Sequence, residues 1–453
     1  MWRGEIPERG DHPVRYPARH QLRGIAILSL RLGTTIPRAG VLCEHRRNDG
    51  YMTNNHRTRN VFAITTAATL TIGAVALGAW SRTDSFASDS VASTSSPRAA
   101  TPVEDRLQGL IDAGYPGALA SVTDADGKSI NVAAGTGNIA EGTEVPLDGE
   151  VRVGSNTKMY VATIVLQLVD EGLVELDAPI ETYLPGLVSG SGIDGTVITV
   201  RHLLQHTSGL PEYADQIAAD AFAAQDTYIS PRDMLDVALA QPALFTPGEK
   251  WEYSNTNYLT LGLLVERVTD RPLFEEVDVR IVEPLGLEHT YMPSPGEMEL
   301  RGDHPLGYHI DDAGELRDIT ALDPSWAWAA GAIVASPSDL NRFTQALLDG
   351  ELLSDASLTE MKTTVPAGDE LWPEATYGLG LQSYPLSCGG VAWGHGGDIP
   401  GTQTRNAVGP DGTAVTVAVT SLPWAVVDMN DEEKLLEQYQ IVVDALDETL
   451  CDN

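Results

Sequence analysis

Positive charge is what this chain lacks most. Its 29 Lys and Arg face 64 Asp and Glu, which gives a formal charge of −35 and a pI of about 4.4. A polyanion of this kind repels phosphate backbones, so nucleic acid is excluded as a partner. The acid is dispersed rather than gathered in a tail, and reads as a solvated surface. Lysine is scarce, so a lysine inside a motif carries more information. Cysteine is scarce too. Cys43, Cys388 and Cys451 show neither CxxC nor zinc-ligand spacing, which argues against a metal site. If the chain is exported, Cys388 and Cys451 are expected to form a disulfide; the alternative is two buried free thiols. No repeat of fixed period is present, against a solenoid or propeller. What is plentiful is apolar residue, 42% of 453, enough for a sizeable core, while Gly 43 and Pro 27 imply many turns rather than a helical bundle.

Residues 1–51 are Arg-rich without a long apolar run, and read as an over-called N-terminal extension. Met52 opens a second start, with the basic stretch TNNHRTRN ahead of twenty uncharged residues, Val61 to Trp80. Residues 52–82 therefore read as a signal peptide or a membrane anchor, and the protein as secreted or extracytoplasmic. No cysteine follows the apolar run and Thr58 separates Arg57 from Arg59, so neither a lipoprotein nor a twin-arginine signal is supported. Residues 83–101, rich in Ser, Asp and Ala, read as a flexible linker. The folded domain is expected over 102–453. VEDRLQGLIDAG reads as an amphipathic helix, and ALASVTDADGKSINVAAGTG as a hairpin turning at Asp126 and Gly127. Helical patches follow to about Leu353. Strands then return in YGLGLQSY, VAWGHGG, TQTRNAVG and TAVTVAVT. A last helix is expected to start at Asn430, with Glu433 completing a capping box. This order implies an α+β sandwich. One antiparallel sheet has the terminal helices on one face and an inserted helical block on the other, with the active site where sheet and block meet.

Three segments carry chemistry. In VRVGSNTKMYVATIVLQLVDEG, Ser155 and Lys158 lie three apart on one helix face, with Ser155 at the N-terminus where free N–H groups favour developing negative charge. A serine hydroxyl needs a base, and a lysine serves if burial depresses its pKa. The bland reading is an N-cap serine and a surface lysine. In GEKWEYSNTNYLTLGLLVE, Tyr253 could shuttle protons and Asn255 could hold a substrate carbonyl or amide. In VAWGHGGDIPG, Gly396 and Gly397 beside His395 would let a substrate backbone approach, and a following N–H could complete an oxyanion hole with that of Ser155. Y-x-N around a helix cap and H-G-G in a turn are common, so each alone reads as structural. The three in order do not.

S-x-x-K, Y-x-N and H-x-G in this order resemble the penicillin-recognising serine hydrolases, in the branch of class C β-lactamases and soluble D-alanyl-D-alanine carboxypeptidases. The related class A pattern has S-D-N and K-T-G in the last two places. ITVRHLLQHTSGL, VEPLGLEHTYM, SWAWAAGAIVASPSDL and YGLGL extend the likeness from Val103 to Cys451. The resemblance implies the β-lactamase/transpeptidase-like fold, acylation of Ser155, proton transfer shared by Lys158 and Tyr253, substrate orientation by Asn255, and a donor near Tyr253 from His395. It implies an oxyanion hole from the N–H groups of Ser155 and Asp398, with Gly397 beside it, and no metal or cofactor. Trp326 is a candidate cleft wall or core residue; His206 reads as structural. Substrates would be peptidyl, ester or β-lactam, taken by a monomer that Val61 to Trp80 could tether to a membrane. The expected activity is that of a D-alanyl-D-alanine carboxypeptidase, with an esterase, a β-lactamase or a non-catalytic envelope-binding protein as alternatives. Two departures stand out. Gln382 occupies the place of an arginine that takes the substrate carboxylate, and His-Gly-Gly-Asp replaces His-Thr-Gly-Thr. Asp398 is expected to repel such a carboxylate unless Arg405 compensates.

Overall fold

The computed structural model describes residues 101–452, apart from 218–219 and 369–371. The extension, the signal or anchor from Val61 to Trp80, nearly all of the linker and Cys43 lie outside the described residues. Among those described, no helix is long and apolar enough to cross a membrane.

Thr101 and Glu104 cap each other's backbone and start helix α1, Pro102–Asp112. Strands β1, Gly117–Thr123, and β2, Ser129–Asn138, form the expected hairpin, and β3, Thr143–Glu144, follows at the edge. The inserted block contains α2, Thr157–Asp170, α3, Asn255–Thr269, and α4, Pro337–Leu348. The chain then returns to the sheet through β4, Val365–Pro366, β5, Thr376–Tyr377, β6, Gln382–Pro385, β7, Val391–Ile399, β8, Thr402–Val408, and β9, Ala414–Val419. Helix α5, Glu432–Cys451, closes it. The nine strands are antiparallel in the order β4-β5-β6-β7-β8-β9-β1-β2-β3. Joining β9 to β1 brings the two ends of the domain together and leaves the helical block as an insertion.

Alternate residues of a strand point to opposite faces, and the central strands are buried on both. On one face Leu107 and Leu110 of α1 and Val442, Leu446 and Leu450 of α5 pack against Ala118, Ala120, Val415, Val417 and Val419. The other face meets α4 through a polar seam. Asn341 donates to the Ser121 carbonyl (2.9 Å) and accepts from Thr416 (2.7 Å) and Asn406 (3.1 Å). Helix α2 is apolar nearly all round and correspondingly buried, with Met159, Val161, Ile164, Val165 and Leu168 inaccessible to solvent.

Two points differ from the sequence reading. Helix α5 is capped by Asp431, whose carboxylate accepts from the Lys434 amide, because Asn430 is already held by Asp428 in the preceding turn. The Asn341 seam has no counterpart in the hydrophobic pattern. Cys388 and Cys451 are bonded (S–S 2.04 Å), tying the β6–β7 turn to the end of α5.

Candidate active site

The segment Val151–Arg152 pairs with Val334–Ala335 and delivers the chain to a 3₁₀ turn, Gly154–Asn156, that opens α2. Gly154 has φ +52°, and a Cβ there would sit 2.8 Å from the Asp398 nitrogen. Only glycine lets the serine turn lie this close to β7. Gly397 makes the same approach from the strand side. A Cβ on it would lie 1.9 Å from the Val153 carbonyl oxygen. Asn156 and Thr404 fix the contact by donating to that carbonyl at 2.9 and 3.0 Å. The room expected for a substrate at Gly396 and Gly397 is therefore occupied by protein. Gly397 accommodates the serine turn, and the Arg405 side chain fills the space beside Gly396.

One turn after Ser155, at the start of α2, Lys158 is fully buried. Its three ammonium donors meet Ser155 Oγ (2.9 Å), Asn255 Oδ1 (2.7 Å) and the Ala330 carbonyl (2.7 Å). Burial lowers its pKa to about 7, against the opposing pull of the Glu212 carboxylate. A lysine so tuned is substantially neutral at physiological pH and can accept the Ser155 proton. Tyr253, in the extended segment before α3, is in hydrogen-bonding contact with Ser155. Burial holds its phenol well above the ordinary value, so it stays protonated. The Lys158 ammonium lies 4.8 Å from the centre of its ring. The structure thus brings Ser155, Lys158, Tyr253 and Asn255 together.

Asn255 is held on both ends. Its Oδ1 faces Lys158, while its backbone N–H (2.7 Å) and Nδ2 (3.1 Å) donate to Glu212. Sequence reasoning missed Glu212, which is half-buried and further held by the Ala214 N–H at 2.8 Å. One acid among 64 gives no signal by composition. Its position just after the HTSGL turn was the available clue.

Register corrects the reading of the third motif. His395 and Gly397 share the serine-turn face of the sheet with their β8 partners Asn406 and Thr404. Gly396 and Asp398 share the opposite face with Arg405 and Gln403, the side covered by α1 and α5. The Asp398 carboxylate is 13% exposed and pairs with Arg405 at 2.8 Å. It neither faces the cleft nor repels a substrate there, and Arg405 is not free to bind one. Only the backbone of Asp398 reaches the serine turn. Gln382 lies across from Gly394, on the α1 and α5 side, and accepts from Tyr384. His395 does not offer Tyr253 a donor, since its Nε2 meets the Tyr377 hydroxyl at 3.0 Å and its Nδ1 the Gly396 carbonyl at 2.5 Å. Trp326 is buried with Tyr213, Met234, Leu259 and Ile399, which makes it core rather than cleft wall.

Comparison with known proteins agrees with this geometry. The family model described as Beta-lactamase matches residues 103–440. The chain is 29% identical over 273 residues to the Bacillus subtilis protein named "Putative penicillin-binding protein PbpX", covering 60% of this chain and 61% of that one. It is 29% identical over 252 residues to an Escherichia coli "Putative D-alanyl-D-alanine carboxypeptidase", covering 50% of this chain and 57% of the other. It thus spans about three fifths of the length of these relatives. Among solved structures, a D-stereospecific amidohydrolase from Streptomyces superposes with a TM-score of 0.66 at 36% identity, covering 74% of this chain and 96% of that one. The D-amino acid amidase of Ochrobactrum anthropi, complexed with L-phenylalanine amide, gives a TM-score of 0.65 at 25% identity, covering 77% and 98%.

Proposed function

Because the chain belongs to the Beta-lactamase family, with its serine-hydrolase fold, we propose that it hydrolyses amides of small D-amino acids or short D-peptides through an acyl-enzyme on Ser155. The contact of Ser155 Oγ with Lys158 Nζ at 2.9 Å carries the reading. Neutral Lys158 takes the Ser155 proton as Oγ attacks the carbonyl carbon. The oxyanion is met by the N–H groups of Ser155 and Asp398. Tyr253 passes the proton from Lys158 to the leaving nitrogen, the C–N bond breaks, and an ester remains on Ser155. Water, deprotonated by the same pair, attacks that ester. The carboxylic acid leaves and Ser155 regains its proton.

Two observations favour an amine-bearing substrate over one with a free carboxylate. Burial raises the Glu212 pKa, but the N–H groups of Ala214 and Asn255 and the nearby Lys158 favour its carboxylate, which places negative charge beside Asn255. Arg405 and Gln382, the residues that could meet a carboxylate, lie on the far face of the sheet. The solved relatives named as a D-stereospecific amidohydrolase and a D-amino acid amidase support the same class. Carboxypeptidase action on D-alanyl-D-alanine, the activity named for curated relatives, is the second reading. Initial rates of the full chain on D-phenylalanine amide, its N-acetyl derivative, an N-acylated D-alanyl-D-alanine peptide and p-nitrophenyl esters separate them. The free-amine amide is expected to be fastest. A peptide cleaved faster than every other substrate would favour the carboxypeptidase instead.

A further inference from the structure

Behind the catalytic groups runs a hydrogen-bonded chain that the mechanism does not use. His206 is fully buried, and its ring stacks on Tyr253 with centroids 4.3 Å apart. Its Nδ1 faces two donors, the Ser254 N–H (3.2 Å) and the Asn257 amide nitrogen (3.0 Å). A nitrogen that accepts from a backbone N–H carries no proton, so the neutral ring keeps its proton on Nε2. That proton points to the Tyr377 hydroxyl at 3.2 Å. The hydroxyl then has one proton to give and two neighbours that could take it, the Tyr258 hydroxyl, which itself donates to the Leu204 carbonyl, and His395 Nε2 at 3.0 Å. The Gly396 carbonyl, 2.5 Å from His395 Nδ1, can only accept, so His395 carries its proton on Nδ1 and its Nε2 takes the Tyr377 proton. Burial, followed by the positive charge of Lys158, keeps both rings neutral, His206 well below its ordinary value and His395 at about 3.

The direction is fixed at both ends by backbone groups, the Ser254 N–H at His206 and the Gly396 carbonyl at His395, and Tyr377 joins them. The chain links three pieces distant in sequence: the turn carrying His206, strand β5 with Tyr377, and strand β7 with His395. It ends on the carbonyl of Gly396, two residues before the Asp398 nitrogen that abuts Gly154. We propose that Tyr377 is a positioning residue. Through its hydroxyl it locks His395 as the Nδ1–H tautomer and thereby aims the Gly396–Asp398 backbone at the developing oxyanion. The role rests on the acyl-enzyme reading above; the tautomers do not. In this protein the third-motif histidine works on its own strand and not on the substrate.

Two readouts test this on the full chain. Long-range ¹H–¹⁵N spectra of ¹⁵N-histidine protein, assigned by single His variants, are expected to show Nε2–H for His206 and Nδ1–H for His395. Tyr377→Phe keeps the ring and removes the hydroxyl. It is expected to shift the His395 signals and lower kcat about ten- to a hundredfold, less than the roughly hundred- to thousandfold cost of deleting an oxyanion donor outright, with KM nearly unchanged. Should that variant fail to fold, two others decide. His395→Asn keeps a donor in place of Nδ1 and should retain more activity than His395→Gln, whose amide replaces Nε2. An Nε2–H tautomer at His395, an unchanged kcat in Tyr377→Phe, or a more active Gln variant overturns the proposal. If the wild type turns over nothing and Ser155 resists acylation, it is the hydrolase reading that fails, and the spectra still decide the tautomers.

Discussion

At Lys158 two effects oppose each other. Burial removes the ammonium from water, and Glu212 holds the charge. Activity requires the neutral amine, so kcat/KM on an ester without an amine should rise with pH through about 7 and then level, because burial keeps Tyr253 protonated well above its usual range. In Glu212→Gln the attraction is gone and the Lys158 pKa drops. The acid limb should move to lower pH, while KM for a free-amine amide rises about tenfold, a measure of one lost charge contact. A pH–rate profile on both proteins reads both changes; a limb that stays put would remove Glu212 from the tuning of Lys158. Ser155, Lys158 and Tyr253 were legible because their chemistry needs those residue types at short spacings. The direction of the Asp398 carboxylate was not, because a side chain's face depends on strand register, which one residue of slip inverts.

At the scale of elements, turn residues between β-branched runs located the hairpin, and apolar runs located α2, α3 and the C-terminal strands, since both follow directly from which residues are buried. It could not locate the seam between α4 and the sheet. That seam is held by Asn341, Asn406, Thr344 and Thr416, with Thr344 donating to Asn406 at 2.7 Å. Polar residues at these places look like exposed positions, and only the fold supplies their partners. The seam stiffens β8, whose Thr404 clasps the serine turn. Asn341→Ala would strand several buried polar groups and should destabilise the fold by about 2–4 kcal/mol in urea titrations. A loss below about 0.5 kcal/mol, the scale of an ordinary surface substitution, would show the seam to be incidental.

For the whole molecule, burial has placed neutral histidines in the interior. His395 is held at about 3 and His309 at about 4, with His206 also far below its ordinary value. The unfolded chain binds protons at these rings near pH 6.5, whereas the folded one does not. Their contribution to stability is thus intact above about pH 6.5 and declines as pH falls towards 4. The decline is at most about 1.4 kcal/mol per pH unit for each ring. The Tm should therefore fall steadily between pH 6.5 and 4, and a flat Tm over that window would contradict the burial of these rings as neutral species. The bond between Cys388 and Cys451, 63 residues apart, offsets part of such losses, contributing up to about 4 kcal/mol by the loop-entropy account.

Catalysis turns on Lys158 and Ser155, and covalent labelling addresses them most directly. The full chain is treated with a fluorophosphonate across a pH series, digested, and the adduct located by mass spectrometry. A single adduct is expected on Ser155, forming faster as pH rises through about 7 and absent in Ser155→Ala. An adduct on another residue, or labelling that survives that substitution, would contradict this mechanism.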